Sequence, residues 1–245
     1  MFRLVITSVC LLMSFTAAAG EKHALLIGVN KYDDSLMSPL QFPENDAKAL
    51  GDVLKNSGYE VDLLLGKAAT AEAIRAKFRT FRTLGTSEGV LIVGLFGHGV
   101  ETPSIDVATG KQLVDDQRNT ITEGCFCPFD TVVIEVKDST TGQTRFGNSG
   151  EPLTEPKPDS LVRLSELLSS LKLAKCGHRV VFADCCRNIP NEARGRSFGA
   201  SFRAKDLPDN ASVLFGCSPR ERSFEHTEWG HGAFTKCLID LLAEL

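Results

Sequence analysis

The sequence has no basic stripe and no run of like charge, and its formal net charge over 245 residues is −4. Nucleic acid is therefore not an expected partner. It has no apolar stretch long enough to cross a bilayer: the run Leu4–Phe15 falls short of the ~20 residues a spanning helix needs. It has no C-x-x-C pair. The closest cysteine spacings are one C-x-C (Cys125, Cys127) and one C-C (Cys185, Cys186). That removes the usual frame of a structural zinc site. Repeats and low-complexity tracts are missing too, which sets solenoids aside. What remains is ordinary globular composition, at a length that suits one α/β domain with a core of its own.

Residues 1–19 read as a signal peptide. Met1-Phe2-Arg3 is a short basic start, Leu4–Phe15 is the apolar stretch, and Thr16-Ala17-Ala18-Ala19 offers the small residues of a cleavage site. The protein is expected to be exported, periplasmic or secreted, with no stable membrane span once the peptide is removed. The mature chain, 20–245, keeps Cys125, Cys127, Cys176, Cys185, Cys186, Cys217 and Cys237. An odd number cannot all be consumed in disulfides within the chain.

Along the mature chain, apolar runs alternate with helical spacing. His23–Asn30 is the first buried strand. A polar loop leads to Pro43, and Asn45 is the expected N-cap of a helix carrying Ala49, Leu50, Val53 and Leu54. Tyr59–Leu65 is a second strand. Thr70 is expected to cap a helix to Phe81, with Ile74 and Phe78 on its buried face. Gly89–Phe96 is a third strand, followed by a polar loop, 101–119. The insert 131–159 reads as a hairpin laid on the main sheet, with strands Thr131–Val136 and Gln143–Phe146, and then a Gly- and Pro-rich linker. Ser165 is placed as the cap of helix Glu166–Leu173. Arg179–Ala183 and Ala211–Cys217 are strands four and five. Between them lies a basic loop, 188–208, and a last helix starts at Ala233. This alternation predicts a mostly parallel central sheet with helices on both faces.

Two strand ends carry chemistry. Strand three runs into Gly97-His98-Gly99, and strand four into Asp184-Cys185-Cys186. Open parallel sheets place their sites at the carboxyl ends of their strands. A thiol is a nucleophile as its thiolate, and an adjacent imidazole can activate it. Strands three and four can be neighbours, so His98 can meet a thiol of the Cys185-Cys186 pair across one cleft. The N–H groups of Gly99 and Cys186 are candidates to hold an oxyanion.

These segments, in this order, resemble the caspase-like cysteine peptidases, clan CD, in their metacaspase and bacterial caspase-domain branch. The resemblance rests on Ala24–Tyr32, Asn45-Asp46-Ala47, Gly97-His98-Gly99, Asp184–Asn188, Gly216-Cys217 with Ser223 and Glu225, and Gly232-Ala233-Phe234-Thr235. It implies a caspase-like (caspase-hemoglobinase) three-layer α/β sandwich. It also selects Cys186 over Cys185 as the nucleophile, with His98 as its partner. Asp46 and Asp184 map onto the acids that line the S1 pocket of metacaspases, which implies cleavage after Arg or Lys in protein or peptide substrates. Glu225 is a further candidate for the border of that pocket. His231 repeats the Gly-His-Gly pattern but stands before a helix, and is assigned to helix entry.

Two positions depart from the family pattern. Phe96 stands where a Ser is common, and Pro43 where a Cys is common. No cofactor is expected. Calcium activates some metacaspases, but the sequence carries no acid cluster that makes such a site. The basic loop holds Arg194 and Arg196 close after the nucleophile, which predicts self-cleavage there. The competing expectation is a non-catalytic binding or scaffold module on the same fold. Oligomeric state is not encoded in any motif found.

Overall fold

The computed structural model describes residues 20–106, 109, 111–138, 140–186, 207–217 and 223–244. The expected signal peptide, and Arg194 and Arg196 with most of the basic loop, lie outside these residues. In chain order the elements are β1 (Lys22–Gly28), α1 (Pro43–Asn56), β2 (Glu60–Leu65), α2 (Ala71–Thr80), β3 (Val90–Pro103), β4 (Thr122–Phe126), β5 (Val133–Glu135), β6 (Thr154–Pro156), β7 (Val162–Arg163), α3 (Leu164–Leu173), β8 (His178–Cys186), β9 (Ala211–Phe215), β10 (Glu225–His226), β11 (His231–Gly232) and α4 (Ala233–Ala243).

Five strands form the parallel sheet expected from the alternation, in the spatial order β2-β1-β3-β8-β9. Successive side chains of a strand point to opposite faces, and the core divides by that rule. Leu25 and Ile27 of β1, Leu91, Val93 and Leu95 of β3, and Val181, Ala183 and Cys185 of β8 pack with α2 and α3. Ala24 and Leu26, Val90, Ile92 and Phe96, and Val180 and Phe182 pack with α1 and α4. The strands are apolar on both faces because both faces are covered. The result is a three-layer sandwich.

β3 is longer than the sequence suggested. Its first half runs parallel to β1, with Lys22 opposite Val90 and Gly28 opposite Phe96. Its second half continues past the end of β1 and pairs antiparallel with β4, from Gly99 opposite Phe126 to Pro103 opposite Thr122. The glycines at 97 and 99 mark a change of partner, not a strand end. β4 was not anticipated, and it carries β7 on its outer side.

The insert differs from expectation in two ways. Lys137 and Thr144 do bridge around the turn at 138–142. But β5 pairs with β6, which lies in the stretch read as a linker, and the two form a sheet of their own rather than joining the main one. Two helix starts also move. α1 begins at Pro43, so Asn45 sits inside its first turn. α3 begins at Leu164, and the Ser165 hydroxyl donates to Glu123 instead of capping. Thr70 does cap α2, accepting from the Ala73 N–H at 3.2 Å. No helix among the described residues is long and apolar enough to cross a membrane.

Candidate active site

His98 and Cys186 are register partners on adjacent parallel strands, the last pair that β3 and β8 form. Sheet geometry alone thus holds the two backbones side by side at the carboxyl edge. Cys185, one residue earlier, faces into the core. It is 2% exposed, belongs to the α2–α3 side of the core, and donates its thiol to the Leu95 carbonyl at 3.6 Å. A thiol committed to the core is not placed to attack a substrate.

His98 is itself buried, at 2% exposure. Three groups from the loop after β1 fix it. The Tyr32 ring stacks on the imidazole, with centroids 5.2 Å apart and planes at 25°. The Tyr32 hydroxyl accepts the His98 backbone N–H at 2.8 Å. The Ser38 carbonyl lies 2.8 Å from His98 Nε2. A carbonyl only accepts, so Nε2 carries a proton, and it is Nδ1 that holds the lone pair whenever the ring is neutral. Met37, buried against Val100, Cys125, Cys127 and Leu161, anchors this loop immediately before Ser38.

The Cys127 N–H donates to the His98 carbonyl at 3.0 Å. Gly99 and Phe126 therefore face each other as a non-hydrogen-bonded antiparallel pair. The Gly99 N–H is directed away from β4, toward the side of β3 on which β8 runs.

Asp184 ends the buried run of β8 on the α1–α4 side, and Asp46 comes up from the first turn of α1. They are 5% and 3% exposed. Both converge on Gly232, just before α4. A Cβ at Gly232 would lie 2.9 Å from Asp184 Oδ2 and 3.1 Å from Asp46 Oδ2. Asp184 accepts from the hydroxyls of Ser223 and Thr235, the latter at 2.8 Å. Asp46 accepts from the Gly232 N–H at 3.1 Å and lies 2.7 Å from His231 Nδ1. Burial raises the Asp46 carboxyl to about 6, against the lowering effect of His231 and the Gly232 N–H. Burial also raises Asp184, against its bonds to Ser223 and Thr235. Two carboxylates are thus held together out of water at the N-terminus of α4, whose dipole favours their charged forms.

The departures from the family pattern can now be placed. Phe96 is fully buried, its ring folded over Gly94, where a Cβ would meet it at 2.6 Å. It belongs to the core on the α1–α4 side rather than to the cleft. Pro43 starts α1. Cys125 and Cys127 are buried thiols rather than a disulfide, and desolvation pushes the Cys125 thiol up to about 12. Among the described residues, no group of three or more His, Cys, Asp or Glu is arranged to hold a metal ion.

The family model of the Peptidase C14 caspase domain matches residues 21–245. The chain belongs to the caspase-domain family. The family is one of cysteine peptidases, and the three-layer sandwich is its fold. Among solved structures, the caspase domain described here is similar to protein GSU0716 from Geobacter sulfurreducens. The two share 18% identity and a TM-score of 0.57, over 91% of this chain and 82% of the other. At that identity the likeness speaks for the fold alone. Comparison with curated proteins returns no match.

Sequence reasoning missed three contributors to this site. Tyr32 was quoted only as part of a motif. The Gly230-His231-Gly232 repeat was noticed, but only its role at the helix entry was read. The Ser38 carbonyl had no signal to find, because a backbone oxygen leaves no mark in residue identity.

Proposed function

We propose that this caspase domain is a cysteine endopeptidase that cleaves after Arg or Lys, with Cys186 as nucleophile and His98 as its acid–base partner. The observation that carries the reading is the pairing of these two residues at the carboxyl edge of the sheet, with His98 held in one tautomer by Ser38. The Cys186 thiolate attacks the carbonyl carbon of the scissile bond. The oxyanion that forms is held by the N–H groups of Gly99 and Cys186. His98, protonated by the thiol, passes its proton to the leaving amine, and a thioester remains. Water then attacks the thioester, with His98 taking its proton. The acid is released and the thiol restored.

Asp46 and Asp184 are the proposed partners of the substrate cation. Their convergence on Gly232 supports this role. A second reading of the two acids also has an observation behind it. Both already accept hydrogen bonds from residues 223–235, so they also serve to cap α4 and seat it against α1. Self-cleavage after Arg194 or Arg196, and export of the mature chain, belong to the same proposal and rest on the sequence.

The test is turnover of peptides with Arg, Lys or Asp before the scissile bond, by wild type, Cys186→Ala and His98→Ala. Wild type is expected to favour Arg and Lys over Asp, and each variant to lose at least about 10³-fold in kcat. Turnover that survives in Cys186→Ala rejects the nucleophile. A preference for Asp rejects the acidic pocket and leaves the dyad standing. Absence of Cys186-dependent turnover favours the binding module.

A further inference from the structure

Glu225 was a candidate for the border of the cation pocket, and its charge does help to raise Asp184, but its hydrogen bonds go to another segment. It crosses from β10 to the segment before α1. There Oε1 accepts the N–H groups of Gln41 and Phe42, both at 3.0 Å, and Oε2 lies 3.3 Å from the Gln41 N–H. The N-cap residue of α1, Phe42, has no side chain that accepts a bond. Glu225 instead holds the backbone N–H of Phe42 itself and of Gln41 before it, from 183 residues away in sequence.

What this clamp holds matters for the chemistry. Upstream, at a distance of three residues, is Ser38, whose carbonyl fixes the His98 tautomer. Downstream, within the first turn of α1, is Asp46, whose own N–H donates to the Phe42 carbonyl at 2.8 Å. Asn30 completes the frame: its side chain donates to the Gln41 carbonyl at 3.0 Å and accepts the Glu44 N–H at 2.9 Å. At the other end, Glu225 is the β-partner of Gly232, which touches both pocket acids. One side chain therefore joins the turn that borders the cation pocket to the segment that orients the base.

We propose that Glu225 is a positioning residue that couples the cation pocket to His98, rather than an acid that meets the substrate. The proposal rests on the peptidase reading above for its kinetic arm. It predicts which property of the side chain matters. Reach matters, because the carboxylate must span to residues 41 and 42. Charge matters less, because one oxygen makes both of the shorter bonds, and an amide oxygen has two lone pairs with which to accept them.

The experiment compares Glu225→Gln, Glu225→Asp and Glu225→Ala with wild type. It reads kcat and KM on an Arg substrate, and the pH profile of Cys186 alkylation by iodoacetamide. Gln is expected to stay within about threefold of wild type on both constants. Asp keeps the charge but is one methylene short. Asp and Ala are expected to lose about 10- to 100-fold in kcat, with KM moved less than about threefold, and to shift the alkylation profile. A Gln variant that raises KM as much as Ala makes Glu225 a substrate-binding acid and overturns the proposal. So do an Asp variant that behaves as wild type and an alkylation profile unchanged in both Asp and Ala. If Ala fails to fold, the contrast of Gln with Asp decides. If wild type shows no Cys186-dependent turnover, the peptidase reading fails, and the alkylation profile still reads the link from Glu225 to His98.

Discussion

Gly232 has an ordinary backbone, with φ −65°, yet no room for a side chain. The two carboxylates, not the conformation, demand a glycine there. A methyl group at this position is therefore a probe of the space between Asp46 and Asp184. Gly232→Ala is expected to raise KM for Arg substrates at least about tenfold, ~1.4 kcal/mol of lost binding, while the alkylation rate of Cys186 stays as in wild type. An unchanged KM would mean that the acids do not meet the substrate. Asp46 gives a second test at this scale. Its carboxyl is raised to about 6 in the folded protein, from an unfolded value near 4. The native state thus holds that proton more tightly than the unfolded chain. The associated stability is fully present below about pH 4 and is lost as pH rises through about 6, to an upper bound of about 3 kcal/mol. The value of about 6 already includes the lowering effect of the His231 hydrogen bond. Thermal denaturation between pH 4 and 8 is expected to show that decline in wild type and a flatter curve in Asp46→Asn. Equal slopes in the two proteins would remove Asp46 as its source.

At the scale of elements, strands and helices are joined by side chains that serve main-chain groups. Arg179, at the start of β8, donates to the carbonyls of Leu171, Ala174 and Asp209 at 2.7, 2.6 and 3.2 Å. It closes the end of α3 and ties that helix to the turn before β9. Arg179→Met is expected to cost about 2–3 kcal/mol in urea denaturation, with kcat unchanged. The long elements were legible because their burial is periodic. β1, β3 and β8 read as continuous apolar runs, and α1 and α2 as helical stripes. The missed elements lack that signal. β4 is Thr-Glu-Gly-Cys-Phe, with a glycine at its centre, and β10 and β11 are two residues each. The overrun of β3 hid behind Gly97 and Gly99, which look like punctuation, although it is Gly97 that takes the unusual φ of +154°. The misplaced caps have different causes: Ser165 is recruited by Glu123, whereas Asn45 lies inside α1 because Pro43 starts the helix two residues earlier.

At the scale of the molecule, the candidate site was legible in its reactive side chains and not in its supports. His98, Cys186, Asp46 and Asp184 were named from motifs and strand ends. Tyr32, Ser38, His231 and Glu225 act through a ring face, a carbonyl and long-range hydrogen bonds, none of which has a fixed spacing. The same division has a consequence in time. Every pairing that completes the site joins distant stretches of chain: His98 to Cys186, Asp46 to His231 and Gly232, Gln41 and Phe42 to Glu225. Contacts of such sequence separation cost loop-closure entropy before they repay it, and each waits on its later partner in the chain. A chain still leaving the ribosome thus carries its imidazole and both acids long before the turn at 223–232 arrives to order them. On the proposed reading, a chain that has not yet reached residue 232 has the reactive parts but not the contacts that order them.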